Sequence, residues 1–213
     1  MEKIVIVGAG GFGREVLAWV REVRNTGKNW DIIGFVDDNP GALAGFDYDV
    51  PIIDTIKGYQ PQAEHRLVLA MATPTRTKVA IADSLIRRGA HFLSLIHPTV
   101  VMGANVTYGV GCVLCPYVVT TCDITIGDFV AINCHAVIGH DAVLGTGSTL
   151  YSYANINGRA RVGTGVEIGS HACLLPGARV GDFATVGAGS VVLKQVKPGA
   201  TVMGVPAKRL LGS

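Results

Sequence analysis

Between Ile96 and Val196 apolar residues recur every six positions. The first position of each six is aliphatic at fifteen of seventeen places, Tyr108 and Thr120 being the exceptions, and the fifth is always small or β-branched. A period of six fits neither the turn of an α-helix nor the alternation of a plain strand. It predicts a parallel β-helix of hexapeptide repeats, with three hexads to an 18-residue coil. The large residue then fills the prism, the small one packs near a corner, and polar residues and Gly turn the chain. Residues 18 apart stack at one strand spacing of about 4.8 Å, so sequence offsets become distances.

Residues 1–95 carry a different pattern. Lys3–Gly8 reads as a short strand, followed by a glycine turn and a helical face through Val16, Val20 and Val23. Ile32–Val36 and Leu67–Ala72 read as two more strands, Thr75–Arg88 as an amphipathic helix, and Phe92–Ile96 as a fourth strand running into the repeats. Strands alternating with helices predict a small parallel α/β sheet. The expected organisation is a Rossmann-like domain over residues 1–95 and a β-helix with a C-terminal tail over 96–213. No flexible linker separates them, so the small domain is expected to cap the open N-terminal end of the solenoid.

A hydrophobic content of 49% supports a large core, and 28 glycines suit a chain that turns every few residues. Apolar runs are too short to span a membrane, and the start MEKIVIVGAGG reads as a strand and turn rather than a signal peptide. Five cysteines without a secretion signal point to the cytoplasm. Cys112 and Cys115 form a C-x-x-C, but without a second pair they read as core rather than as a metal or redox site. A net charge of +2 with no basic stripe argues against nucleic acid.

Three features carry chemistry. Gly8, Gly10 and Gly13 form G-x-G-x-x-G after a strand and before a helix, where glycines admit a pyrophosphate to the helix N-terminus. Asp37 and Asp38 close the second strand, placed to grip a ribose hydroxyl. With only about four strands readable against the six of a full dinucleotide fold, a sugar nucleotide fits better than a whole dinucleotide. The other reading is that the glycines only let the first helix pack closely.

His140-Asp141 is the candidate acid–base pair, at an outward corner position. An imidazole can take a proton near neutral pH, and a carboxylate beside it can hold the ring. Gly158 lies one coil above His140 on the same corner. Ser170 and Ala188 are also 18 apart, on a different corner. Small residues on successive coils leave a groove with accessible backbone N–H groups. A three-histidine zinc site is unsupported: counting 36 back from His135 gives Thr99, and the partner five beyond His171 is Pro176. No metal is expected. Lys208 and Arg209, in the closing GVPAKR, either contact an adenosine phosphate or solvate the tail.

Together VGAGGFGREV, GFVDD, SLIHPTV, VIGHDAVLG and GVPAKRL resemble the NeuD/PglD-like sugar O- and N-acyltransferases over essentially the whole chain. The resemblance implies a left-handed β-helix, a handedness that periodicity does not supply. It implies a homotrimer with acetyl-CoA bound in a groove between subunits. It implies His140 as general base, oriented by Asp141, where the bacillosamine-pathway enzyme has Glu. Asn133 matches a family active-site Asn. Gly158 matches a residue whose N–H faces the thioester carbonyl, and Ser170 and Ala188 match contacts along the pantetheine. Gly10, Gly11, Asp37 and Asp38 would hold the nucleotide. The implied activity is acetyl-CoA-dependent N-acetylation of a nucleotide-linked 4-amino-4,6-dideoxy sugar for cell-surface glycans. The alternatives are O-acetylation of sialic acid or another free sugar, and a non-catalytic trimeric scaffold.

Overall fold

The computed structural model describes residues 1–72 and 74–210, so the last three positions of the expected 96–213 domain lie outside the described residues. The N-terminal part is a four-stranded parallel sheet built from β1 (Glu2–Val7), β2 (Trp30–Val36), β3 (Ile52–Asp54) and β4 (His65–Leu69), in the order β3-β2-β1-β4. Helix α1 (Gly11–Asn25) follows β1 and α2 (Thr75–Arg87) follows β4. Val16, Leu17, Val20 and Val23 make the buried face of α1, the stripe that their helical spacing predicts. Gly27, at φ +102°, turns the chain out of the helix end.

The fourth strand of this sheet differs from the expectation. It is β3, three half-exposed to exposed residues whose two apolar members, Ile52 and Ile53, are too few to show a strand period. Phe92 makes only an isolated bridge to Leu67, and Leu95–Ile96 is already the first strand of the solenoid, paired with Val113–Leu114. The sequence trace of β3 is Gly34 inside β2. A Cβ there would stand 2.4 Å from Ile53 Cγ2, so only glycine lets the edge strand lie so close.

From Leu95 the chain winds into a three-sided parallel β-helix. The first face starts with Leu95–Ile96, the second with Val101–Met102 and the third with Thr107–Tyr108. Register advances by 18 residues per coil, as in Ile138↔Ile156 and Leu144↔Val162. Interior residues such as Ile132, Ile138, Ile156 and Leu174 are fully buried in one continuous core. The period breaks once. Val180 pairs with Val196 and Val186 with Val202, offsets of 16, so Val196 takes an interior first place rather than the fifth place that unbroken counting gives it. The apolar character of both positions hides the two-residue deletion from the sequence.

The small domain does not cap the N-terminal end. Met102 and Tyr108, at interior positions of the first coil, remain 37% and 44% exposed. The domain instead lies along the flank. Thr75 Oγ1 donates to Gly165 O at 2.8 Å, Val79 fills the space over Gly147, and the Arg76 guanidinium stacks on Phe183 at 3.6 Å. His97, 4% exposed, joins Glu22 of α1 at 2.7 Å to Thr99 of the first coil at 2.8 Å. An end-on cap would bury one coil's rim, whereas the flank position lets α2 contact several coils.

Lys78 sits at the centre of this contact, 1% exposed, donating to Thr149 Oγ1 at 2.9 Å and Ser148 O at 3.3 Å. Burial among neutral acceptors drives its ammonium down to about 7 from 10.5. Between those values the unfolded chain binds a proton that the folded chain has released, so stability rises with pH across that window, by at most about 1.4 kcal/mol per pH unit. Urea melts from pH 7 to 10 should show this rise in the wild type, and the slope should flatten in Lys78→Met. An unchanged slope in the variant would place its origin elsewhere.

Candidate functional site

The turn that leaves the second face carries His140 and Asp141. Asp141 lies at φ +60°, and this left-handed turn folds its carboxylate back, so that His140 Nδ1 and Asp141 Oδ2 stand 2.7 Å apart. Both side chains are a little over half exposed. A carboxylate only accepts, so Nδ1 is the donor, and in a neutral ring Nε2 is left with its lone pair. The ring lies over Gly158, one coil on, where a Cβ would stand 2.4 Å from Nε2. The stacking arithmetic therefore places Gly158 directly against the imidazole. Among the described residues the N–H groups of Gly158, Ser170 and Ala188 make no backbone hydrogen bond.

The offset of 18 also leads back from Asp141 to Asp123, which the sequence reading missed. Hydrogen bonds from Asn105, at 2.8 Å, and from Cys122 hold the Asp123 carboxyl below the usual carboxylate range, with a smaller contribution from His140. The edge therefore carries two carboxylates on successive coils beside one imidazole.

Asn133, Ser170 and Ala188 stand on another edge, the turn from the first face to the second. The structure does not bring them to His140 within one chain. Asn133 Oδ1 accepts from the Cys115 thiol at 3.6 Å. Burial pushes the Cys115 thiol well up, and its hydrogen bond to Cys134 brings the half-buried Cys134 thiol down to about 7. No spacing signal marks Cys134. All five cysteines are free, and Cys112 and Cys115 are buried as core residues. Lys208 and Arg209 form a short exposed strand pairing with Met203 and Val202 at the C-terminal end of the prism. Among the described residues no group of three or more His, Cys, Asp or Glu side chains could hold a metal ion.

A cavity lies in the small domain rather than at His140. It measures about 590 Å³ and is lined by Asp38, Ile56, Lys57, Ile81, Ser84 and Arg88, among others. A second cavity of about 290 Å³ lies at the glycine turn, between Gly8, Gly10, Gly11, Phe12, Asp37 and Met71. The glycines divide into two kinds. A Cβ at Gly13 would stand 2.1 Å from Gly8 O, so Gly13 serves close helix packing. Gly10 and Gly11 face open space at the N-terminus of α1, where backbone N–H groups favour an anion.

The two aspartates also divide. Asp37 Oδ2 accepts Ala9 N–H at 2.7 Å and Oδ1 accepts Asn39 N–H at 2.8 Å, so this carboxylate shapes the glycine turn itself. Asp38 is exposed, makes one long bond of 3.3 Å from Lys57 N–H, and lines the large cavity. Asp38 is free to meet a ligand and Asp37 is largely committed to the fold.

Residues 3–88 match the family described as the PglD N-terminal domain. No curated protein matches the sequence. Solved structures match over the whole chain. The acetyltransferase domain of PglB from Neisseria gonorrhoeae, in complex with acetyl coenzyme A, is 28% identical over 98% of this chain and 99% of its own, with a TM-score of 0.85. WeeI from Acinetobacter baumannii is 29% identical over 99% of this chain and 100% of its own, with a TM-score of 0.87. PerB from Caulobacter crescentus, in complex with CoA and GDP-perosamine, is 28% identical over 99% of this chain and 98% of its own, with a TM-score of 0.85. No described helix is long and apolar enough to cross a membrane.

Proposed function

Because residues 3–88 match the PglD N-terminal domain and the whole chain is similar to the acetyltransferase domain of PglB, to WeeI and to PerB, we propose that it is a PglD-like sugar N-acetyltransferase, which transfers an acetyl group from acetyl-CoA to the amine of a nucleotide-linked amino sugar, a 4-amino-4,6-dideoxy sugar. The observation that carries this reading is His140, held by Asp141 at 2.7 Å over the bare backbone of Gly158. An amine attacking a thioester must lose a proton. His140 Nε2 accepts it, while Asp141 keeps the ring oriented and offsets the charge it gains. Acetyl-CoA supplies the activated acyl group. Gly158 suits the position beside the thioester because any side chain there would displace the imidazole, and its N–H is available to a carbonyl oxygen on which charge develops. Neither a metal nor a covalent enzyme intermediate is needed.

In this reading the acceptor's nucleotide lies in the small domain, its phosphates at Gly10 and Gly11 and the remainder toward Asp38 and the large cavity. Gly8 shapes the turn at φ +101°. The coenzyme runs along Ser170 and Ala188, with Lys208 and Arg209 near its phosphates. Since those residues and Asn133 stand on a different edge from His140, the complete site forms between copies in a homotrimer, one copy giving the base and its neighbour much of the coenzyme wall. The enzyme acts in the cytoplasm, in the synthesis of cell-surface polysaccharide.

The deciding experiment is acetyl-CoA turnover with a panel of amino sugars linked to UDP, GDP and dTDP, alongside free sialic acid. Turnover of nucleotide-linked amines is expected. Acetylation of the free sugar alone would replace this reading with O-acetyl transfer, and no turnover of any member would favour a scaffold.

The carboxylates give a sharper check on where the acceptor binds. Asp38→Ala should weaken sugar-nucleotide binding about ten-fold or more, the loss of one charge-assisted hydrogen bond, with little change in melting temperature. Asp37→Ala should lower the melting temperature as well, because Ala9 N–H and Asn39 N–H lose their acceptor. Calorimetry and thermal melts separate the two. Unaltered sugar-nucleotide affinity in Asp38→Ala would move the acceptor out of the large cavity.

A further inference from the structure

The turns from the first face to the second carry a ladder of rings that the proposed chemistry does not use. Tyr117, His135, Tyr153 and His171 stack in succession, with centroids 5.0, 4.8 and 4.8 Å apart and planes within 14° of parallel. All four rings are exposed, Tyr117 at 56% and Tyr153 at 49%. All four residues also lie in the left-handed region, at φ 58 to 62°, which side-chain-bearing residues disfavour and glycine accepts readily. The next rung is Gly189, at φ +67° with open space around it. The equivalent turns from the third face to the first hold either Gly or Phe. There Phe129 packs on Gly111, and on Phe92 at 5.2 Å, while Phe183 packs on Gly165. Those rings are covered, whereas the ladder is an unusually aromatic edge facing solvent.

We propose that the ladder is the surface on which a second copy of the chain seats the edge that carries His140. The inference rests on the trimeric reading above. Two observations favour this occupant over any other. Asn133, Ser170 and Ala188 lie on the same edge as the ladder, so the surface is continuous with the half of the site that needs a neighbour. The two edges are also complementary. The ladder presents phenol and imidazole groups, and the opposing edge presents Asp123 and Asp141, the first of which is held ionised by its hydrogen bonds.

Symmetry sets the register. A threefold axis parallel to the prism keeps residues of one coil at one height. His135 and His140 are five apart on a coil that climbs about 4.8 Å, so the His135 rung meets the His140–Asp141 pair of the adjoining copy. Stacking holds the rings at fixed spacing, and the stiff ladder presents its polar atoms without the rotamer loss that long side chains would suffer on docking.

The test is the double variant Tyr117→Gly/Tyr153→Gly. Glycine suits the left-handed backbone at both positions, so the coils should fold, as circular dichroism and a thermal melt would confirm. Light scattering on serial dilution should show trimers dissociating at a concentration about ten-fold or more above that of the wild type, the scale of losing an aromatic anchor. Acetyl transfer per chain should fall on dilution and return as concentration is raised. A folded variant that dissociates and acetylates like the wild type at every dilution overturns the ladder proposal and leaves the proposed activity standing. A wild-type chain that acetylates as a monomer overturns both the ladder and the shared site. Hydrogen exchange of the wild type gives a measurement that needs no variant: amides around 117, 135 and 153 should be protected at high concentration and lose protection on dilution, and equal exchange at both would refute the proposal.

Discussion

His140→Ala should lower acetyl transfer by about 10²–10⁴-fold, the usual contribution of a positioned acid–base group, equivalent to about 3–5 kcal/mol of barrier. The side chain is a little over half exposed and among the described residues hydrogen-bonds only to Asp141, so its loss should leave the fold intact, and a thermal melt would verify this. Asp141→Asn should cost less, since an amide can still orient the ring but cannot offset its charge. Near-normal turnover in a folded His140→Ala protein would remove His140 as the base. A rise in the Michaelis constant for acetyl-CoA with turnover preserved would recast it as a coenzyme contact.

Gly158→Ala should be nearly as damaging for turnover and almost silent for stability. The added Cβ would stand 2.4 Å from His140 Nε2, 2.7 Å from Cε1 and 2.9 Å from Cδ2. The imidazole is the end of a side chain open to solvent, so it can swing away at little cost to the fold. In doing so it leaves both the Asp141 carboxylate and the N–H group at 158. A misplacement of about 1 Å in such a site costs on the order of 10²-fold. Steady-state kinetics should show the loss mainly in turnover rather than in the Michaelis constant for the sugar nucleotide. Unchanged turnover would mean that the ring does not act from the position over Gly158, and a large drop in melting temperature would mark the glycine as structural instead.

The stacking behind this second prediction was legible in the chain. Once six-residue periodicity is recognised, an offset of 18 names neighbours on successive coils, and it places Gly158 on the corner of His140 from the sequence alone. The same offset reaches Asp123 from Asp141 and links all four rungs of the aromatic ladder, whose observed spacing of 4.8–5.0 Å is that of adjacent strands. The glycine turn was legible for a similar reason, because strand, glycines and helix lie within a few residues of each other.

What the sequence determined by itself is therefore the repeat, the prism and the stack of side chains along each edge. In a solenoid each coil contacts only its neighbours, so a local pattern repeated often enough dictates the whole. Other features required tertiary structure. That Asp37 holds Ala9 N–H and Asn39 N–H while Asp38 remains open to the cavity depends on how the turn after β2 folds against the turn after β1. The flank position of the small domain depends on Lys78 meeting Thr149 and Thr75 meeting Gly165, pairs 71 and 90 residues apart. The two-residue deletion before Val196 is masked because aliphatic residues satisfy either register. Such contacts have no period: they are set by the shapes and hydrogen-bonding needs of two surfaces that meet only once in the molecule, and no spacing along the chain announces them.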